Sequence, residues 1–200
     1  MHRRLGHPIR SHTNPVALVY DLVILTLAAL EPYISSDRIA SKIEELATQI
    51  RKDFGDEELV LVCVLKGSFI FTADLARALG NNVILDFCQV SSYGAEKSSS
   101  GIVQIRKDLD INIEGKNVLL VEDIVDTGLT LEYLRKLLMT RKPKVLKVVA
   151  LLSKPEARQH HTTLEYVGFE IPNEFVVGYG LDYAERYRNL PHIAILRDPE

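Results

Sequence analysis

The sequence predicts an α/β fold with a mostly parallel, doubly wound central sheet flanked by helices. Short, continuous apolar runs alternate along the chain with segments in which apolar residues recur at helical spacing. The apolar runs lack the polar alternation of half-exposed strands, as is typical of strands buried on both faces. With 200 residues, the chain can form one domain with a sizeable core but not two large domains.

The elements follow one another in a regular order. A first helix after Pro32 is indicated by apolar residues at helical spacing, with Ser36 and Asp37 as candidate N-caps: Ile39, Ile43, Leu46 and Ile50. We predict strands at 59–65, 83–90, 118–121 and 144–152. Further helices are expected at 68–79, ended by Gly80, and at 131–139. Beyond Pro155 only short apolar pieces remain, including 175–177 and 193–196.

Composition and charge limit the function classes. Hydrophobic residues make up 46% and charged residues 26% of the chain, which is typical of a folded globular protein. The 24 basic and 27 acidic side chains give a net charge of -3. This charge offers no general attraction to nucleic acid or to an anionic membrane, so we expect neither as a partner. A bound anion must therefore be held by local groups.

Cysteine usage and the first residues bear on location. Cys63 and Cys88 lie in apolar runs without metal-ligand spacing, which favours a reducing compartment and a cytoplasmic protein. Residues 1–30 contain three arginines before the first acid, Asp21, and end in the apolar run 22–30. This run is shorter than the ~20 residues that span a bilayer, but a signal or transit peptide stays open. We favour a packed extension or a start codon placed too far upstream.

The strongest chemical signal lies at 118–130. The predicted strand ends in the adjacent carboxylates Glu122 and Asp123, and the segment Asp126-Thr127-Gly128-Leu129-Thr130 follows before a helix. Open α/β sheets bind ligands beyond the carboxyl ends of their strands, and hydroxyls beside helix-start N–H groups suit a phosphate. Because carboxylates bind sugar hydroxyls and Mg²⁺ but repel phosphate, the combination suggests a sugar phosphate bound with Mg²⁺. A solvated turn before a capped helix would not explain the adjacent acids.

A small, polar, glycine-containing segment lies at 91–101, between two strand-like stretches. Its composition fits a plain flexible connection. The functional alternative is a lid, including Ser92 and Tyr93, that closes over a reactive site.

The segment 118–130 resembles the signature for 5-phosphoribosyl-1-pyrophosphate (PRPP) in type I phosphoribosyltransferases. Four more segments resemble motifs of the hypoxanthine-guanine phosphoribosyltransferases, in the family's order: 65–68, 91–94, 151–154 and 175–183. The resemblance runs from about Tyr33 to Asp198. It implies the type I phosphoribosyltransferase fold, with a small hood over the sheet. We therefore expect an atypical extension at 1–30, dispensable for chemistry, and one domain at 31–200, with the hood drawn largely from 31–57 and 156–200.

The resemblance implies roles around PRPP. Glu122 and Asp123 would hold the ribose hydroxyls, directly or through Mg²⁺, the expected cofactor. The 5-phosphate would be surrounded by Asp126, Thr127, Gly128, Leu129 and Thr130. Leu129 stands where the family has lysine, a departure that we expect to be tolerated because such a loop binds mainly through backbone N–H groups and hydroxyls.

The pyrophosphate would lie beside Lys66 and Gly67, after a Leu65–Lys66 peptide bond that is often cis in the family. Arg188 matches the arginine that holds pyrophosphate. Without the resemblance, Lys66 and Arg188 would be interpreted as ordinary surface charges.

The resemblance also places residues around a purine base. Lys154 would donate to the 6-oxo group, Phe175 would stack on the ring, and Val176 would bind the Watson-Crick edge through its backbone. Asp182 would help to bind a second Mg²⁺ or its waters. Without the resemblance, Phe175 would be interpreted as a core residue and Asp182 as a turn residue.

The implied reaction transfers the phosphoribosyl group of PRPP to N9 of hypoxanthine or guanine, with Asp126 as general base toward the N7 proton. A homodimer or homotetramer is expected. Two alternatives stay open. A xanthine-preferring enzyme would differ mainly in contacts at C2 of the base. A regulator on the same fold could dispense with Lys154, Phe175 and Asp182 and would have a basic stripe, which the net charge does not favour.

Overall fold

A computed structural model describes residues 30–80, 82–92 and 103–197. Its helices are α1 (Ser36–Phe54), α2 (Phe69–Leu79) and α3 (Leu129–Met139). Its strands are β1 (Leu30–Ile34), β2 (Leu59–Leu65), β3 (Val83–Ser92), β4 (Val103–Lys107), β5 (Asn117–Val125), β6 (Val145–Ser153), β7 (Tyr166–Glu170), β8 (Val176–Val177) and β9 (Ile193–Leu196). In this described part of the chain, no helix is long and apolar enough to cross a membrane.

The central sheet has the strand order β4-β3-β2-β5-β6-β7. All neighbouring pairs are parallel except β3 and β4, which are antiparallel. The predicted α/β class with a mostly parallel sheet is therefore confirmed. A second, antiparallel sheet has the order β1-β9-β8 and joins the start of the described chain to its end.

The core lies on both faces of the central sheet. Side chains of α1 and α2 pack on one face, against alternate residues of β2, β5 and β6 such as Leu61, Leu119 and Leu151. The remaining alternate residues, such as Val62 and Leu120, pack against α3 on the other face. The continuous apolar runs in the sequence are explained by this burial on two sides.

Three sequence-based details were wrong. The N-cap of α1 is Ser35, whose hydroxyl accepts a bond from the Arg38 N–H at 3.4 Å, and not Ser36 or Asp37. Strand β5 does not end before Glu122 but continues to Val125, because it stays paired with β6 as far as Ser153. Strands β1 and β7 had no strand prediction at all.

Candidate active site

The carboxyl ends of three neighbouring parallel strands bring the predicted site residues together. Strand β2 leads into Lys66 and Gly67, β5 carries the two adjacent acids, and β6 leads into Lys154. The backbone N–H of Lys154 donates to the carbonyl of Val125 at 2.9 Å, which continues the pairing of the strands past their ends. Residues far apart in sequence thus meet at one edge of the sheet, as the sequence predicted.

Glu122 and Asp123 line a cleft of about 290 Å³ together with Lys66, Asp182 and Arg188. Burial, together with the neighbouring Asp123, raises the pKa of Glu122 well above its usual value. Burial also raises the pKa of Asp123 to about 6, despite a bond from the Ile124 N–H at 2.8 Å and the attraction of Arg188. A buried carboxylate beside a partly buried one favours a ligand that brings hydroxyl groups or positive charge.

Two cations, Lys66 and Arg188, line the same cleft. Lys66 Nζ donates to Glu185 Oε2 at 2.9 Å, and the Leu65–Lys66 peptide bond before it is cis. Arg188 pairs with Asp182 at 2.7 Å and with Glu185 at 3.3 Å. Lys66 and Arg188 therefore share one carboxylate, that of Glu185.

Gly180 packs directly against the turn after β2. Its φ of +103° lies in the region that favours glycine, and a Cβ at this position would meet the Gly67 carbonyl oxygen at 2.0 Å. Arg188 holds Gly180 in place, since it donates to the Gly180 carbonyl at 2.8 Å. The 178–188 region is thereby fixed against the cation side of the cleft.

The predicted phosphate-binding loop surrounds a smaller cavity of about 110 Å³, lined by Asp126, Thr127, Gly128, Leu129 and Thr130 among others. Gly128 caps α3 with a φ of +87°, and a Cβ there would lie 2.9 Å from Cδ of Arg158. The glycine is thus required both by the backbone conformation and by the close approach of Arg158.

Lys154 is a buried residue whose ammonium group has only long contacts to oxygen atoms of the protein. Its side chain is 9% exposed, and Nζ lies 3.9 Å from Asp126 Oδ2. The nearest hydrogen bond, to Asn173 Oδ1, is 3.5 Å long. Because long contacts satisfy a buried ammonium poorly, this geometry favours a ligand that supplies a closer acceptor.

Phe175 and Val176 lie on the small sheet. The Phe175 ring is 43% exposed and meets the Tyr183 ring edge-on at 5.7 Å, so it is not a core residue. The Phe175 carbonyl accepts from Leu196 N–H at 2.9 Å, toward β9. Strand alternation then directs the backbone groups of Val176 away from β9, to the outer edge of the sheet.

The proposed lid lies mostly outside the described residues. Ser92 ends β3, where it is paired with Val103, whereas Tyr93 and the following residues up to 102 are not described.

Sequence reasoning missed two residues beside the site. Glu185 contacts both cations of the cleft, and Arg158 contacts the phosphate-binding loop. Neither stands in a motif with a chemical meaning of its own, and both act across turns whose geometry the sequence does not reveal.

A larger cavity of about 600 Å³ lies between α1, α2 and the 189–191 segment. Its lining contains none of the predicted site residues. The chemistry of the side chains, and not the size of the cavity, therefore identifies the site at the edge of the sheet.

Mg²⁺ fits the acidic side of the cleft only if protein carboxylates and substrate oxygens coordinate it together. In the ranges that the structure describes, no group of three or more His, Cys, Asp or Glu side chains is placed to hold a metal alone. Mg²⁺ is commonly held by one or two carboxylates together with substrate oxygens. The adjacent carboxylates of Glu122 and Asp123 in the cleft match that role.

Comparison with known proteins decides the family. The model of the phosphoribosyl transferase domain family matches residues 33–184. A hypoxanthine-guanine phosphoribosyltransferase of Mycobacterium avium is 51% identical over 172 residues, covering 83% of this chain and 84% of that protein. This chain belongs to the hypoxanthine-guanine phosphoribosyltransferases.

Solved structures of this family share its fold. A hypoxanthine-guanine phosphoribosyltransferase of Bacillus anthracis is 53% identical, with a TM-score of 0.79 and coverage of 82% of this chain and 97% of that chain. A hypoxanthine phosphoribosyltransferase of Trypanosoma cruzi, solved with the product IMP, is 47% identical, with a TM-score of 0.79 and coverage of 84% and 94%. The type I phosphoribosyltransferase fold expected from the motifs is confirmed.

Proposed function

We propose that this chain transfers the 5-phosphoribosyl group of PRPP to N9 of hypoxanthine or guanine, releasing pyrophosphate. The observation that carries the proposal is the convergence of four kinds of group at one sheet edge. Two adjacent acids and two cations line one cleft, a small polar loop flanks the acids, and a buried lysine follows the next strand. These groups match the ribose, pyrophosphate, phosphate and base of the two substrates. The product IMP in the Trypanosoma cruzi relative supports the same reaction.

The acids and the cations bind different parts of PRPP. Glu122 and Asp123 accept hydrogen bonds from the ribose hydroxyls, and Lys66 with Arg188 binds the pyrophosphate across the cleft. Mg²⁺ held by these acids, and by Asp182 or its bound waters, would offset the negative charge that gathers on the leaving group. Lys66, Arg188 and the backbone at Gly67 stabilise the same charge from the protein side.

In this proposal Asp126 links the phosphate-binding loop to the base-binding residue Lys154. Its side chain is half exposed, and its carboxylate lies 3.9 Å from the ammonium group of Lys154. As N9 of the purine attacks C1 of the ribose, the N7 proton must leave, and a carboxylate at this position can accept it. Water is a competing nucleophile, and closure of the segment that contains Ser92 and Tyr93 would exclude it.

Base recognition rests on Lys154, Phe175 and Val176. The Lys154 ammonium group donates to the 6-oxo oxygen, the exposed Phe175 ring stacks on the purine, and the outward backbone groups of Val176 pair with its Watson-Crick edge. Adenine carries an amino group at C6, so two donors would face each other. Sites built around one hydrogen bond can reject such a partner by ~10⁴ to 10⁵.

A PRPP-dependent assay with hypoxanthine, guanine, xanthine and adenine side by side tests the function. We expect efficient use of hypoxanthine and guanine, and very poor use of adenine. Lys154→Ala should lose efficiency with 6-oxopurines much more than affinity for PRPP. Absence of turnover with all four bases would refute the proposed reaction, and preference for xanthine would correct its substrate.

We also propose that the chain forms a homodimer or homotetramer. Leu85 and Phe87 project from the same face of β3 and are 45% and 36% exposed, and Phe69 is 43% exposed at the start of α2. Two large exposed apolar side chains on one strand face, those of Leu85 and Phe87, favour contact with another copy. Sedimentation should give at least a dimer for the wild type and a smaller species for Leu85→Asp; a monomeric wild type would contradict the proposal.

The domain division is proposed in the same way. The pairing of Glu31 with Ile195 supports one domain over 31–200, with a hood from 31–57 and 156–200 built around the small sheet. Residues 1–30 form a dispensable extension in this proposal, so a chain starting at Glu31 should keep its Michaelis constants. Loss of PRPP binding by that soluble chain would show that the boundary is misplaced. The free, buried Cys63 and Cys88 support a cytoplasmic location.

A further inference from the structure

Arg158 connects the phosphate-binding loop to the end of β6. Its Nε donates to the main-chain carbonyl of Asp126 at 3.2 Å, and its two terminal nitrogens donate to the hydroxyls of Ser153 at 3.0 Å and Thr162 at 2.8 Å. The side chain thus spans the residue before Lys154 and the residue proposed as the general base. A planar guanidinium suits such a multiple contact because its donors have a fixed geometry.

The residues after Arg158 hold the next peptide unit of the loop. The backbone N–H groups of Gln159 and His160 both donate to the carbonyl of Thr127, at 3.0 and 2.9 Å. Two consecutive carbonyls of the loop, those of Asp126 and Thr127, therefore point toward the 158–160 segment.

The direction of these carbonyls fixes the direction of the neighbouring N–H groups. In a trans peptide unit the C=O and the following N–H point to opposite sides. The N–H groups of Thr127 and Gly128 consequently point away from the 158–160 segment. Backbone N–H groups at the start of a helix are the donors that bind a phosphate, so their direction decides how well the loop can do so.

The charge of Arg158 is also available to a ligand. The loop 126–130 contains no basic residue, because Leu129 stands where the family has lysine. Within the described chain, the three acceptors of Arg158 are a carbonyl and two hydroxyls, all neutral. Its positive charge thus lies behind the loop without a carboxylate to neutralise it in these bonds.

We propose that Arg158 is a positioning residue for the 5-phosphate, which orients the Thr127 N–H through the Asp126 carbonyl and supplies positive charge behind the loop. This role rests on the proposed function. This role predicts different effects on different ligands, because PRPP and IMP both carry a 5-phosphate whereas pyrophosphate does not. Loss of the guanidinium should therefore weaken the first two ligands and spare the third.

The test uses the full chain with Arg158→Met, which keeps the length of the side chain, and Arg158→Lys, which keeps its charge. The matched control is Arg141→Met, since Arg141 is also partly buried but pairs with Asp108 away from the loop. Wild-type turnover is measured first, followed by the KM for PRPP, the inhibition constants of IMP and pyrophosphate, and the melting temperature.

For Arg158→Met we expect the KM for PRPP and the inhibition constant of IMP to rise by roughly 10- to 100-fold, as for loss of a hydrogen bond to a charged group. The constant for pyrophosphate should not change. Arg158→Lys should recover little, because an ammonium group cannot reach three acceptors at once. Arg141→Met should match the wild type.

Three results would overturn the role. These are unchanged PRPP and IMP constants in Arg158→Met, full recovery by Arg158→Lys, and an equal loss for pyrophosphate, which would indicate general damage to the fold. A wild type without PRPP-dependent turnover would refute the proposed function itself, and the role of Arg158 with it.

Discussion

The carboxylate of Asp123 lies directly against the α-carbon of Gly67, so that a Cβ at position 67 would stand 1.5 Å from Asp123 Oδ2. The Asp123 carboxylate of β5 and the backbone of the turn after β2 therefore pack directly against each other. Gly180 also packs closely against this turn, since a Cβ at position 180 would meet the Gly67 carbonyl oxygen at 2.0 Å. Three segments converge here without room for a methyl group, which fixes the acids relative to the pyrophosphate side of the cleft.

Gly67→Ala should consequently fold but move the Asp123 carboxylate. Displacement of a substrate-positioning group by about 1 Å can cost ~10²-fold in efficiency, and we expect a loss of that order in kcat/KM for PRPP. Gly55→Ala is the control, because a Cβ at Gly55 meets no atom within 4 Å. That variant can lose stability through its φ of +58°, but its steady-state constants should stay unchanged. A fully active Gly67→Ala would show that the position of Asp123 does not matter.

The sequence predicted the site better than its surroundings. The adjacent acids lie in the last part of β5, and the phosphate-binding loop and Lys154 directly follow β5 and β6. Parallel strands bring such residues to one edge. The predicted end of β5, at Val121, was wrong because pairing with β6 determines where the strand ends. This pairing continues beyond the apolar run as far as Val125. Strand β7 was missed since its central Gly168 lowers strand propensity; that glycine is required because a Cβ would meet the Leu151 carbonyl at 2.5 Å.

Asp126→Asn should keep PRPP binding and lose turnover. The amide preserves the size of the side chain but cannot accept the N7 proton, and loss of a general base typically costs ~10² to 10⁴ in rate. Single-turnover rates and the KM for PRPP separate the two effects. Asp110→Asn, at an exposed acid paired with Lys107, is the matched control and should leave both unchanged. Near wild-type turnover in Asp126→Asn would remove Asp126 from this role.

Glu122→Gln should stabilise the metal-free, substrate-free protein, and more so at higher pH. Burial raises the pKa of Glu122 in the fold above that in the unfolded chain. As the pH rises from the unfolded-chain pKa to the folded-state pKa, the unfolded chain releases a proton that the fold retains, and the fold is destabilised relative to the unfolded chain. The wild type therefore loses free energy of unfolding as pH rises, and the amide variant escapes this loss. Melting temperatures with a chelator at about pH 5 and about pH 8 measure the difference, which should widen at the higher pH.

The same variant should gain less stability from PRPP with Mg²⁺, because the amide neutralises no positive charge. A variant less stable than the wild type at both pH values would show that Glu122 contributes a favourable interaction to the ligand-free fold.

Glu185→Gln should improve binding of PRPP. The Glu185 carboxylate pairs with both Lys66 and Arg188, the two cations proposed to hold pyrophosphate, and must give them up when the substrate enters. The amide competes less strongly for these cations. Exposed ion pairs are weak, so we expect a KM for PRPP lowered by up to roughly fivefold and an unchanged KM for hypoxanthine. The inhibition constant of pyrophosphate should fall in parallel.

Glu58→Gln removes a comparable exposed partner of Lys116, remote from the cleft, and should change none of these constants. A higher KM for PRPP in Glu185→Gln would instead mean that Glu185 holds the two cations in their binding positions.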